Sequence, residues 1–197
     1  MLPLFPLQSV LFPGGLLSLK VFEARYLDLV SDCLRSQQPF GVVCLRQGSE
    51  VRREGETLQL ESVGVSASLL DVDSEQAGIL RIKCIGGQRF RVLSSEQAPN
   101  GLWHAEVETI DDDAALAPAV PVLATVKALA QAIGTLKAQG AQPFVEPYRF
   151  DDAGWVANRW CELLPISLAA KQKLLELEEP SVRLQLVDDF LRSKGVV

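Results

Sequence analysis

Two hydrophobic rhythms divide the chain. In its first part the apolar residues alternate or run through short β-branched stretches. These are PFGVVCL (Pro39–Leu45), ESVGVSASLLD (Glu61–Asp71), GILRIKCIG (Gly78–Gly86), QRFRVLS (Gln88–Ser94) and LWHAEVETI (Leu102–Ile110). Gly, Asn, Ser and charged residues separate them, so each is a predicted strand. Short strands at this spacing predict a small barrel or a curled sheet. One helix interrupts them: in FEARYLDLVSDCLRS the residues Tyr26, Leu27, Val30, Cys33 and Leu34 form a single apolar stripe, and Pro39 stops it.

Helical spacing then takes over. Leu123, Val126, Ala130, Ile133 and Leu136 mark a helix from Pro121 to Gln139, ended by Gly140. Asp151 or Asp152 caps a second helix running to Leu164, Ser167 a third to Leu177, and Ser181 a fourth to Ser193. Four amphipathic helices with short connections predict a bundle. Between the two rhythms lies DDDAALAPAVP (Asp111–Pro121), with the composition of a linker or an exposed corner. The expected architecture is therefore α+β, a β-rich subdomain over residues 1–115 followed by a helical bundle over residues 116–197.

Composition bounds the function without naming it. The 197 residues are 48% hydrophobic and 22% charged, which excludes disordered, collagen-like and coiled-coil chains. The net charge of −6 argues against nucleic-acid binding by bulk electrostatics. Met1–Leu19 carries no charge, but Pro3, Pro6, Pro13 and Gly14-Gly15 interrupt it, so it reads as buried extended chain rather than a membrane span or signal. Cys33, Cys44, Cys84 and Cys161 form no C-x-x-C pair, and four reduced, buried thiols in a cytoplasm are expected.

Catalytic chemistry is hard to find. The only histidine, His104, sits in a predicted strand. GVSAS (Gly64–Ser68) lacks the second glycine of a nucleophile elbow and lies inside a strand. No phosphate-binding loop occurs, Gly86-Gly87 has no third glycine, and the cysteines lack metal-ligand spacing. Asp111-Asp112-Asp113 reads as a solvated corner rather than a calcium site. No enzyme activity, cofactor or metal is expected.

Two local arguments give testable geometry. In Arg81–Val92, an odd-length hairpin loop around Gly86-Gly87-Gln88 would bury Ile82, Cys84, Phe90 and Val92 on one face and turn Arg81, Lys83, Arg89 and Arg91 outward. On the helix capped by Asp151 or Asp152, Val156, Trp160 and Leu163 share a stripe, while Trp155 leans toward Arg159. Trp160 should be core. Trp155 should be partly exposed beside Tyr148 and Phe150, a rigid aromatic surface suited to partner binding.

The segment Pro3–Leu34 resembles the N-terminal substrate-binding domain of Lon proteases. The resemblance rests on Leu11-Phe12-Pro13-Gly14 and on Phe22-Glu23-Ala24-Arg25-Tyr26. Pro39–Val43, Gly86–Val92, Ala105–Glu108 and Lys171–Glu176 follow in the family's order. It implies a PUA-like barrel before the helical bundle, and a chain without the ATPase and serine–lysine protease modules, hence a stand-alone, non-enzymatic binding domain. The implied partners are unfolded or tagged polypeptides, or a protease or chaperone, in protein quality control. The signature residues have scaffold readings too: Phe22 and Tyr26 as core anchors, Arg25 paired with a carboxylate or carbonyl, Pro13 with its glycines as a sharp turn. The rival reading is RNA binding through Arg81, Lys83, Arg89 and Arg91, as in other PUA-like barrels; the net charge disfavours it.

Overall fold

A computed structural model describes residues 1–48, 50 and 58–197. They form two compact units, Met1–Asp111 and Asp112–Val197.

The first unit holds β1 (Leu2–Leu7), β2 (Leu16–Val21), α1 (Ala24–Ser36), β3 (Phe40–Gln47), β4 (Gln59–Gln76), β5 (Ile79–Gln97) and β6 (Trp103–Thr109). The strand order is β2-β5-β4-β3-β1-β6, and β5 also pairs with β6. Five strands thus run round a ring, with β2 attached outside it. β1 and β3 are parallel neighbours, and the long crossover such a pair requires contains β2 and α1. Leu4, Val43, Phe90 and Ala105 fill the ring. A Cβ at Gly41 or Gly64 would come within 2.8 Å or 2.5 Å of the Phe90 ring tip, so both glycines make room for it.

The expected hairpin in Arg81–Val92 is not there. β5 is one continuous strand, and the turn lies at Ala77-Gly78, where Gly78 takes a φ of 78°. The second glycine pair makes a bulge instead. Val65 pairs with Arg89 and Ala67 with Gly86, so Gly87 and Gln88 together oppose Ser66. The extra residue reverses the alternation of β5. Cys84, Gly86 and Arg89 share the face of Leu69, Ala67 and Val65, while Phe90 turns to the ring interior beside Gly64. Arg89, expected outside, is therefore buried at 3% exposure and donates to the Asp111 carbonyl at 3.4 Å. Arg81, Lys83 and Arg91 are exposed, and each lies opposite a carboxylate: Asp73, Asp71 and Glu108.

The L-F-P-G turn is stitched onto this bulge. Gly14 N–H donates to the Gly86 carbonyl and Gly86 N–H to the Gly15 carbonyl, both at 2.8 Å. Gly14 supplies the positive φ, 73°, that the turn needs. The Tyr26 ring stacks on Phe5 at 3.8 Å, and buried Arg25 pairs with Glu23 at 2.9 Å and donates to the Gly101 carbonyl at 2.8 Å. Phe22 is not a core anchor: it is 52% exposed. Val21 takes the last inward position of β2, so the next residue points out.

The second unit contains a 3-10 turn (Val120–Val122), α2 (Leu123–Ala138), α3 (Ala153–Leu163), α4 (Leu168–Glu176) and α5 (Pro180–Ser193). The Asp152 side chain caps α3 by accepting from Trp155 N–H at 3.1 Å, and Ser167 caps α4 by accepting from Ala170 N–H at 3.2 Å. α5 begins at Pro180, before the expected cap Ser181, because proline is already suited to the first helical position. The buried face of α2 is Thr125, Leu129 and Ile133, and Leu123 is exposed. A polar residue lies inside because the Thr125 hydroxyl donates to Asp188 at 2.6 Å and its carbonyl accepts from Trp160 Nε1 at 3.1 Å.

Asp113 is no solvated corner. Its carboxylate takes both terminal nitrogens of buried Arg183, at 2.6 and 3.1 Å. Arg183 also donates to Asn158 Oδ1 and to the carbonyls of Leu174 and Leu177.

Gly86→Ala should destabilise the protein by about 1–3 kcal/mol, the usual cost of overpacking. The added Cβ would lie 2.3 Å from the Phe12 carbonyl oxygen, which is backbone and cannot swing aside. Urea unfolding of the variant beside wild type measures the loss.

Candidate polypeptide-binding surfaces

The predicted aromatic trio is one packed group. The rings of Phe144, Tyr148 and Phe150 lie 6.2, 5.9 and 5.4 Å from that of Trp155. Trp155, expected at the surface, is only 6% exposed. The expectation assumed that Arg159 must stay in water. Instead Arg159 is 1% exposed, pairs with Glu162 at 2.7 Å, and holds its guanidinium 5.2 Å from the Phe144 ring and 5.8 Å from Trp155. A carboxylate and two ring faces replace water for the cation, so tryptophan and arginine go in together. Burial lowers Arg159 from its ordinary range and raises Glu162, while each partner's charge opposes the shift in the other. Tyr148 and Phe150 remain half-buried, more exposed than Trp155. Lys137 stands 5.4 Å from the Tyr148 ring and pairs with Glu146 at 2.8 Å. Phe144 escapes the sequence argument, whereas Arg159, four residues after Trp155 and one helical turn away, enters it with the wrong environment.

Nucleophilic chemistry finds no support in the thiols. All four are free and buried, and burial pushes Cys84 and Cys161 up to about 12 and Cys44 to about 11. Almost no thiolate exists near neutral pH at such values. Half-buried His104 lies in β6 opposite Pro3 and Glu96. Among the described residues no cluster of three or more His, Cys, Asp and Glu could hold a metal, and no helix is long and apolar enough to cross a membrane.

The first unit carries a second candidate. β3 begins only at Phe40, paired with Ala67, because Pro39 has no N–H and Gln37 takes a left-handed φ of 56° to end α1. β4 runs on to Gln76. A cleft of about 480 Å³ opens between Ser68–Val72 and the end of α1, where Cys33, Leu34, Gln37 and Gln38 line it. Leu34 and Leu70 line it while 46% and 55% exposed. Leu70 is exposed because it is the extra residue of a bulge: Leu69 pairs with Cys84 and Asp71 with Lys83. A second groove, of about 460 Å³, is lined by Ser18, Lys20, Asp71, Asp73, Arg81 and Lys83, whose charges interleave.

A family model described as the ATP-dependent protease La (LON) substrate-binding domain matches residues 1–193. The chain belongs to this family. It is 29% identical to a Lon protease of Anaeromyxobacter dehalogenans over 98% of its length, and 30% identical to one of Paraburkholderia phytofirmans over 95%. In each case it spans 23% of the relative. Among solved structures, a Lon N-terminal domain protein from Xanthomonas campestris matches with a TM-score of 0.74 and 32% identity, covering 94% of this chain and 95% of that one. The N-terminal domain of a Mycobacterium avium complex Lon protease matches with a TM-score of 0.63 and 18% identity, a likeness of fold.

The architecture of this Lon domain is the expected α+β, and the β unit is consistent with a PUA-like fold, its strands closing as a ring. Its signature has structural work to do: L-F-P-G locks onto the bulge of β5, and F-E-x-R-Y starts α1, buries Arg25 and stacks Tyr26 on Phe5. The family match reaches the substrate-binding domain, with no ATPase or protease domain in it.

Trp155→Ala should cost about 3–5 kcal/mol of stability, as large core truncations do. A lower urea midpoint at unchanged slope is expected. For the thiols, a disulfide reagent at neutral pH should label none of the four cysteines in the native Lon domain during the time in which denatured protein labels all four.

Proposed function

We propose that this Lon domain is a non-enzymatic polypeptide-binding module, acting on unfolded or degradation-tagged chains in cytoplasmic protein quality control. The observation that carries this reading is the α1–β4 cleft, where exposed Leu34 and Leu70 stand beside a strand edge that, among the described residues, no neighbouring strand covers. Apolar side chains and main-chain groups are what an unfolded chain displays and a folded one hides. The family description, a substrate-binding domain, supports the same class of ligand. Four buried free thiols suit a reducing cytoplasm. Tyr148 and Phe150, braced by Trp155, provide a further contact surface on the second unit. A protease or chaperone partner would receive what the cleft holds. The RNA alternative loses its motivating feature, because Arg89 is buried and the other three cations each face a carboxylate.

Binding is tested with a permanently unfolded, fluorescently labelled polypeptide, a reduced and carboxymethylated globular protein, followed by anisotropy. The Leu34→Asp/Leu70→Asp double variant should keep its circular dichroism, since both side chains are exposed, and lose at least tenfold in affinity, about 1.4 kcal/mol. Unchanged binding would move the site away from the cleft. Failure of wild type to bind would remove the reading altogether.

A further inference from the structure

Resting on that reading, we propose that the bound polypeptide joins the first unit as an added β-strand along the outer edge of β4, from Ser68 to Ser74, with apolar side chains on the α1 side and basic side chains on the other. Among the described residues no strand pairs with β4 on that side beyond Ala67. A longer β3 would have run there. Pro39 and the left-handed Gln37 divert the chain into α1 instead, and the cleft lies along the vacated line. An extended segment supplies the missing N–H and C=O groups whatever its sequence.

Register sets the chemistry of the two faces. Leu69 pairs with Cys84 and Val72 with Ile82, on the face shared with Cys33 and Leu34 of the cleft. Across the bulge at Leu70, Asp71 and Asp73 pair with Lys83 and Arg81 on the opposite, exposed face. A strand added beside them places alternate residues next to Leu69 and Val72, which favours apolar ones. The residues between fall next to two carboxylates, which favours Lys or Arg, since opposite charges across strands stabilise and like charges destabilise. The same arrangement disfavours a second copy of this chain. Antiparallel self-pairing about Val72 would set Asp71 against Asp73, and the bulge breaks the edge into the short regular stretches Ala67–Leu69 and Asp71–Ser74.

The test uses a nine-residue peptide alternating Val or Leu with Lys, two derivatives N-methylated at alternate residues in the two possible registers, and a derivative with Glu for Lys. Affinity is read by anisotropy and amide exchange by NMR on the intact chain. The parent peptide should bind and slow exchange of alternate amides within Leu69–Ser74. One N-methylated register should lose at least tenfold, and the other, whose methyl groups point away from β4, should keep its affinity. The Glu peptide should bind at least fivefold more weakly at low salt, and Asp71→Asn/Asp73→Asn should shrink that difference. If both N-methylated peptides bind like the parent while Leu34→Asp/Leu70→Asp still abolishes binding, strand addition is overturned and the cleft reading stands. If protection appears outside β4, the proposed edge is wrong. If neither the parent peptide nor the unfolded probe binds, both readings fall.

Discussion

The first unit depends on a single strand serving two successive neighbours. β5 pairs with β2 from Leu80 to Ile85 and with β6 from Phe90 to Gln97, with β4 on its other side as far as Arg91. A regular strand cannot change partner and keep its apolar residues correctly placed. The bulge at Gly87-Gln88 solves both problems at once: it bends β5 toward β6 and reverses its faces, so Phe90 enters the ring and Cys84 stays beneath α1's side of the sheet. The position is fixed from outside by the Phe12–Gly15 turn, whose backbone comes so close that Gly86 has no room for a side chain. The cost is a buried arginine. Arg89 inherits an inward position from the reversal and is held partly by the Asp111 carbonyl at the end of the unit.

The second unit solves a related problem with charge rather than backbone. All five N–H groups of the Arg183 guanidinium are used, on Asp113, Asn158 and the carbonyls of Leu174 and Leu177. A buried cation is tolerable only when its donors are satisfied, and breaking one partner of such a pair typically costs about 3–5 kcal/mol. One side chain of α5 thereby ties down the segment before α2, a helix face of α3 and the end of α4. Gly154 belongs to the same construction, since a Cβ there would lie 2.7 Å from the Asp113 carboxylate.

What the sequence could and could not reveal follows from these two constructions. Strands β3, β4 and β6 and the caps Asp152 and Ser167 were legible, because alternation and capping are local signals. The faces of β5 were not, because a bulge is invisible to a period-two pattern and two glycines look the same in a turn as in a bulge. Arg159 and Thr125 misled the helical argument for one shared reason: apolar patterning assigns every polar residue to water, whereas here ring faces, Glu162 and Asp188 take water's place. The aromatic trio was legible as a group and its exposure was not. The cleft was illegible altogether. It arises where one strand stops and its neighbour continues, a difference in length between residues far apart in sequence. Pro39 marks the end of a helix in the sequence pattern, and it is equally the start of an open edge.

That open edge also explains how the domain tolerates the hazard it carries. Closing five strands into a ring removes most edges, and among the described residues the outer side of β2 and the distal part of β4 are left unpaired. At roughly 3.3 Å per residue, Ser68–Ser74 offers an edge of about 20 Å, long enough for a short extended segment. The bulge at Leu70 interrupts it, and Asp71 and Asp73 set like charges against a second copy. A strand already paired inside a folded protein has no free main-chain groups to offer and cannot enter between β4 and α1. In the proposed strand addition, backbone pairing would select for the unfolded state, and Leu69, Val72 and the carboxylates would add a preference for alternating apolar and basic residues. If the edge takes many chains, as proposed, and its own kind least of all, it needs that combination of a general hydrogen-bonding edge with a specific repulsion.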